Sequence, residues 1–304
     1  MEEDTRSLAA VITHTVILGQ ATIMSLVGNS FVFLSFYRNR RLRTITNFYV
    51  MSLAVADIMM AMCSFPFQVI ASGLRKWPFN YNLCQFAGFV VQYWVQLSVC
   101  ILALASINRY FCAVKPHKYS VFFTRKKTII SILVVWIFSS VQILIIIFAA
   151  AIIFKWIPNN LYCRATFFDE RLERICYVGF ACLYIVPMSV VVFSYFSIYR
   201  VVRQHNIAVV PSLQEANVDG IARAQEIKSS RVLFAAVVGF FICWMPFIVV
   251  SILDFGFRVS IPSSAKSIYP LLGSISSWIN PIIYGVTNRA MRTEFRNILF
   301  CKKD

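Results

Sequence analysis

The chain has 304 residues, of which 59% are hydrophobic and only 14% charged, with a mean hydropathy of +0.70. A soluble domain carries about 25% charged residues, so this composition excludes an ordinary soluble enzyme and points to a bilayer. The net charge of +16 does not point to nucleic acid, because the basic residues are dispersed among short loops between long apolar runs.

Crossing about 30 Å of hydrocarbon takes about 20 mostly apolar residues as a helix. Seven stretches qualify in chain order: about 11–37, 46–73, 82–113, 129–154, 174–199, 230–254 and 266–286. The first follows Glu2, Glu3 and Asp4 and lacks a basic leader, so it reads as a span rather than a cleavable signal. The seventh, with Pro270 and Pro281, is the least apolar, and such residues are tolerated where neighbouring helices bury them. A polar stretch at about 204–228 separates spans five and six. Residues 289–300 alternate basic and apolar, the pattern of an amphipathic helix on a membrane surface. The expected fold is therefore an all-α membrane protein: a seven-transmembrane helix bundle with a short amphipathic eighth helix. It forms one domain over 1–300, followed by a short cytoplasmic tail at 301–304.

The loops following spans one, three and five, with the C-terminal tail, hold 19 of the 29 basic residues. The positive-inside rule then predicts an extracellular N-terminus and a cytoplasmic C-terminus in a multi-pass plasma-membrane protein. The same charge attracts anionic lipid.

Of nine cysteines, Cys84 and Cys163 fall on the predicted outer side, where disulfides form. Their pairing would pin the loop before span five over the bundle; Cys176 is the competing partner. Cys301, just past the surface helix, is a candidate palmitoylation site, with an unmodified thiol as the alternative. No cysteine or histidine spacing suggests a metal, and His14, His117 and His205 lie too far apart along the spans to converge on one.

Polar groups inside a span are functional candidates because each costs several kcal/mol unless paired. Asn29, Asp57 and Asn280 lie at comparable depth in spans one, two and seven, with Ser98, Ser276 and Ser277 as further oxygens. By residue type this cluster suits either helix–helix hydrogen bonding or a hard cation such as Na⁺. Pro66, Pro187, Pro246 and Pro281 interrupt spans two, five, six and seven, and each removes a backbone donor and can kink its helix.

Taken in order, these landmarks resemble the rhodopsin-like (class A) G-protein-coupled receptors across nearly the whole chain. They are Gly28-Asn29, Leu53-Ala-Val-Ala-Asp57, Cys84, Asn108-Arg109-Tyr110, Trp136, Pro187 with Tyr195, Phe240 with Cys243-Trp244-Met245-Pro246, and Asn280-Pro281-Ile-Ile-Tyr284. The resemblance implies no enzymatic activity but ligand-driven activation of a heterotrimeric G protein, with arrestin as a further partner. It implies that Arg109 meets the G protein, that Glu226 holds it at rest, and that Tyr195 and Tyr284 reorganise around it. Val99, Pro187, Phe240 and Trp244 resemble the packing switch beneath the ligand, and Asp57, Ser98, Ser276 and Asn280 the family's sodium positions. Two departures stand out. Asn108 replaces the usual acid before the arginine, which predicts a weaker resting lock and some ligand-free activity, and span four lacks its usual proline.

For the ligand, the resemblance places Val91, Gln92, Val95, Gln96, Gly179, Phe180, Leu183, Phe247, Ile248, Ser251 and Ser274 in the pocket. Amine receptors resemble one another in an aspartate where Val91 stands, and opsins in a lysine where Ser274 stands. The expected ligand is thus a neutral small molecule, with a neuropeptide as the alternative. Within the class, Asn108-Arg109-Tyr110, Ser52-Leu-Ala-Val-Ala-Asp57, Ile242-Cys-Trp-Met-Pro246 and Tyr284-Gly-Val-Thr-Asn288 resemble melatonin-type receptors. Leu183, Ile146 and Asn280-Pro281 depart from them. A channel or transporter is the remote rival, but the chain shows no internal repeat.

Overall fold

The structure is a computed structural model that describes residues 4–209, 234–246, 248–250, 252–253, 257, 259, 261–262 and 267–301. Among the described residues, five helical stretches are long and apolar enough to cross a membrane, one of them made of two consecutive helices. Span one is α1 (Leu8–Arg38); span two is α2 (Ile45–Cys63) and α3 (Phe65–Gly73). Span three is α4 (Tyr81–Val114), and α5 (Pro116–Phe122) lies in the loop after it. Span four is α6 (Arg125–Ala149) and span five is α7 (Glu170–Val209). The helical residues of 234–250 form α8 (span six), followed by α9 (Ile268–Thr287, span seven) and α10 (Arg289–Leu299).

Short polar residues set where these helices begin. Ser7, Thr44, Asn80 and Thr124 each accept a hydrogen bond from a backbone N–H three residues on, and Asn288 does so from Ala290 and Met291. Each such cap satisfies a donor that the first turn leaves open, for about 1 kcal/mol. Span two breaks at Ser64, and the helix restarts with Pro66 in its first turn, where the missing N–H costs nothing.

Burial runs inside out relative to a soluble bundle. The most apolar window of α4 is 67% buried and that of α6 only 11%, so α4 is the central post and α6 faces lipid. Apolar side chains such as Ile137, Phe138, Ile145 and Phe193 point outward, while Ser25, Asn29, Ser52, Asp57, Ser106 and Asn280 lie inside. Helices in lipid gain nothing by hiding apolar surface from each other, so small and polar residues line their contacts. Gly28 illustrates this: a Cβ there would sit 3.0 Å from the Pro281 ring, so glycine lets spans one and seven touch.

The fourth span ends at Ala149, short of the expected 154, because Ile153–Ile157 instead forms strand β1, paired antiparallel with β2 (Tyr162–Thr166). The apolar run continues past the helix because the hairpin's inner face is itself buried at Phe154, Cys163 and Ala165. Three ties fix the hairpin to the N-terminal end of α4. Cys84 and Cys163 form a disulfide, and Cys176 is a free thiol. Gln85 donates to the Phe154 carbonyl at 2.7 Å and accepts from its N–H at 2.9 Å. The Phe154 ring fills the notch left by Gly88, where any Cβ would overlap it.

Candidate functional site

Four groups of residues divide the bundle along its length. At the end bearing α10, Arg109 and Asn108 are both buried in the last turns of α4. The Arg109 guanidinium donates to the Thr46 hydroxyl, and that hydroxyl donates to the Asn108 carbonyl oxygen at 3.0 Å. The Asn108 amide in turn donates to the Tyr119 hydroxyl on α5 at 3.2 Å. Asn108 therefore spends both ends of its carboxamide on neutral partners from span two and the following loop. Tyr110 points away from this chain, its ring 5.8 Å from that of Phe193 and under the Lys115 ammonium. Tyr195 packs its ring on Phe234, and the buried hydroxyls of Tyr195 and Tyr284 have no hydrogen-bond partner among the described residues. Glu226 lies outside the described residues.

At mid-depth the polar cluster assembles from three spans. Asn280 donates to the Asp57 carboxylate at 3.2 Å. Asn29 donates to the Ser277 carbonyl at 2.9 Å. That carbonyl lies four residues before Pro281, so proline leaves it without its helical donor and Asn29 supplies one from another helix. Ser98 is buried in α4. The Asn29 carbonyl oxygen is buried and unpartnered among the described residues.

Above the cluster, the rings of Phe240 and Trp244 stack 5.9 Å apart. The Trp244 indole donates to the Ser276 hydroxyl at 2.9 Å, which links this layer to the polar cluster. Gly273 makes room for the indole, since a Cβ there would lie 3.1 Å from its ring. Val99 is fully buried in α4, and Pro187 and Pro246 are half-buried in α7 and α8.

Toward the N-terminal face lies a cavity of about 40 Å³. Its lining includes Val91, Gln92, Val95 and Ser274 from the expected pocket positions, the switch residue Trp244, and also Met60, Phe65, Gln68 and Tyr162. No described lining residue is charged. Span five does not contribute Gly179 or Leu183 to it. The inward stripe of α7 is Tyr184, Met188, Val191, Tyr195 and Ile198, a helical repeat that turns Gly179 outward into open space. Gln96 also turns from the cavity, donating to the Leu183 carbonyl at 3.3 Å, the carbonyl that Pro187 strands four residues later. Ile248 packs against the core outside the cavity lining. The Phe180 side chain, Phe247 and Ser251 lie outside the described residues.

The hairpin contributes Tyr162, which sequence reasoning missed. The only signal was its position next to Cys163. At the same face, burial alone would raise the Asp4 carboxyl, but hydrogen bonds from Arg6 outweigh it and hold its pKa below the usual value.

The chain matches the profile of the family "7 transmembrane receptor (rhodopsin family)" over residues 28–284. The octopamine receptor beta-2R of Chilo suppressalis is 26% identical over 95% of this chain and 80% of its own length. The melatonin receptor type 1A of Ovis aries is 28% identical over 96% and 77%, and the histamine H2 receptor of Homo sapiens 27% over 97% and 82%. The crystal structure of squid rhodopsin superimposes with a TM-score of 0.82 at 23% identity, covering all of this chain and 90% of that one.

The bundle, with its surface helix, is that of a seven-transmembrane receptor, and the chain belongs to the rhodopsin family of such receptors. It is a multi-pass plasma-membrane protein that binds a ligand and signals through a G protein, and it is not an enzyme.

Proposed function

We propose that this receptor answers to a small neutral ligand bound between spans two, three, six and seven on its extracellular face. One observation carries this: the described cavity lining offers carboxamides and hydroxyls, from Gln68, Gln92, Tyr162 and Ser274, but no carboxylate. The relatives named for octopamine and histamine would bring a protonated amine to this site, and beside Val91 such a charge would be buried unpaired. The relative named for melatonin would bring a neutral amide, which those groups can hydrogen-bond. The test is G-protein activation in cells expressing the receptor, exposed to neutral indole amides and to protonated amines. Responses confined to neutral compounds support the reading. A full response to octopamine or histamine with Val91 in place overturns it.

In this reading the face bearing α10 is cytoplasmic, as the distribution of basic residues supports. The G protein meets Arg109 there, and arrestin uses the same basic face. Arg289, Arg292 and Arg296 are exposed on α10 while Met291 is buried, which supports a helix lying on anionic lipid, with Cys301 as an acyl anchor. Asp57, Asn29, Ser98, Ser276 and Asn280 would hold Na⁺. The donor set fits: one buried carboxylate, neutral oxygens and the unpartnered Asn29 carbonyl, all hard ligands. A bound ion would supply positive charge to Asp57. The protein's own contribution is to fix those oxygens through the Asn280 and Asn29 amides and to connect them through Ser276 to Trp244.

A further inference from the structure

The hairpin between spans four and five does more than cover the bundle. Its turn carries Leu161 with φ 60°, a left-handed conformation that costs a leucine conformational energy and that a glycine would adopt freely. The side chain so directed is completely buried. It sits in a separate apolar cluster with Leu18 of span one and Leu271 of span seven, against Ile17 and Val69. The next residue, Tyr162, lines the cavity that also contains Gln68, Ser274 and Trp244. The hairpin therefore reaches from its anchor on span three across the mouth to the far wall of the bundle.

Neighbouring contacts hold it there. Pro158 and Asn160 are buried in the turn, and the N-terminal segment lies beside it, with the Thr5 hydroxyl 3.4 Å from the Asn159 carbonyl oxygen. Arg6, paired with Asp4 at 2.6 Å, donates to the hydroxyl and carbonyl of Ser72 at the end of span two. The space left beneath is about 40 Å³, room for about one water molecule and far below the roughly 300 Å³ of a small-molecule site.

We infer that the outer cavity is a ligand site whose resident occupant is the receptor's own loop side chain Tyr162, held there by the Leu161 anchor beside it, and that a diffusible ligand must displace it. The inference rests on the reading of this cavity as the ligand site. An occupant of this kind lowers apparent affinity by the fraction of receptors in which the tip is seated. It also selects ligands: the incoming molecule replaces one phenolic side chain, so a neutral aromatic ring with one hydrogen-bonding function is the matching chemistry. That description is narrower than neutrality alone.

The test uses the full-length receptor at the cell surface with Ser274→Cys as a reporter and a membrane-impermeant methanethiosulfonate as the probe. Modification of residue 274 is read by peptide mass spectrometry on receptor that retains the Cys84–Cys163 bond. With the native tip, modification is slow; with Leu161→Ala and Tyr162→Ala together it accelerates about tenfold or more, as the open fraction rises. Equal rates in the two backgrounds, whether both slow or both fast, overturn the inference. If the double variant does not reach the surface, Tyr162→Ala alone is compared with Tyr162→Phe, and acceleration in the first but not the second is expected. Ligand-free nucleotide exchange before and after modification gives a separate reading. Fast modification that leaves exchange unchanged keeps the tip as occupant but removes the cavity from signalling.

Discussion

Pro187 and Pro281 each remove a backbone donor from a membrane helix, and in each case a carboxamide from another helix reaches the stranded carbonyl. Asn29 serves Ser277 in span seven, and Gln96 serves Leu183 in span five. Water cannot do this inside hydrocarbon, so the amide ties two helices at the point where one is weakened. Gln96→Leu should therefore lower the melting temperature of purified receptor, with a loss of about 1–3 kcal/mol for an orphaned buried carbonyl. An unchanged melting curve would remove Gln96 from this role. Asn108 is the second informative residue. Its carbonyl accepts from Thr46 and its amide donates to Tyr119, an arrangement without charge. An aspartate there would attract the Arg109 guanidinium directly, so Asn108→Asp should reduce ligand-free nucleotide exchange several-fold, about 1 kcal/mol of added resting stability. Exchange at the parental rate would show that the neutral residue does not loosen the resting state.

At the scale of elements, spans were legible because hydrocarbon thickness sets their length, and the named prolines fall inside helices as expected, Pro66 excepted in that it opens a new one. The hairpin was not legible. The apolar run through Phe154 reads as a continuation of the fourth helix, and nothing local distinguishes a strand whose inner face is buried by tertiary contacts with span three. Likewise the resemblance alone implies that Gln96 faces the pocket, whereas the stranded Leu183 carbonyl across the bundle decides where it turns. Gly179 was misjudged for a similar reason, since sequence gives the period of α7 but not its rotation. Two predictions belong here. Cys163→Ser removes the covalent tie between the hairpin and span three and leaves the Gln85 and Phe154 contacts, so it should destabilise the receptor by about 2–5 kcal/mol, read as lost thermal stability. Asp57→Asn removes the carboxylate shared by spans two and seven. It should abolish any dependence of ligand-free exchange on Na⁺ at constant ionic strength; a sodium effect that persists would assign the ion elsewhere.

For the whole molecule, three of the four layers form a connected path from the cavity to mid-depth. Tyr162 and Trp244 share the cavity, Trp244 bonds Ser276, and Ser276 lies in the same helix as Asn280, which bonds Asp57. Contiguity alone does not make a switch; a ligand shifts the equilibrium only by binding one packing better than another. Arg109 is then the residue through which either packing would reach the G protein. The most direct measurement is nucleotide exchange on purified G protein by the reconstituted receptor without ligand, comparing the native chain, Arg109→Ala and Asn108→Asp. Exchange is expected above the receptor-free background, reduced by Asn108→Asp and abolished by Arg109→Ala. Exchange by Arg109→Ala at the native rate would contradict that role for Arg109.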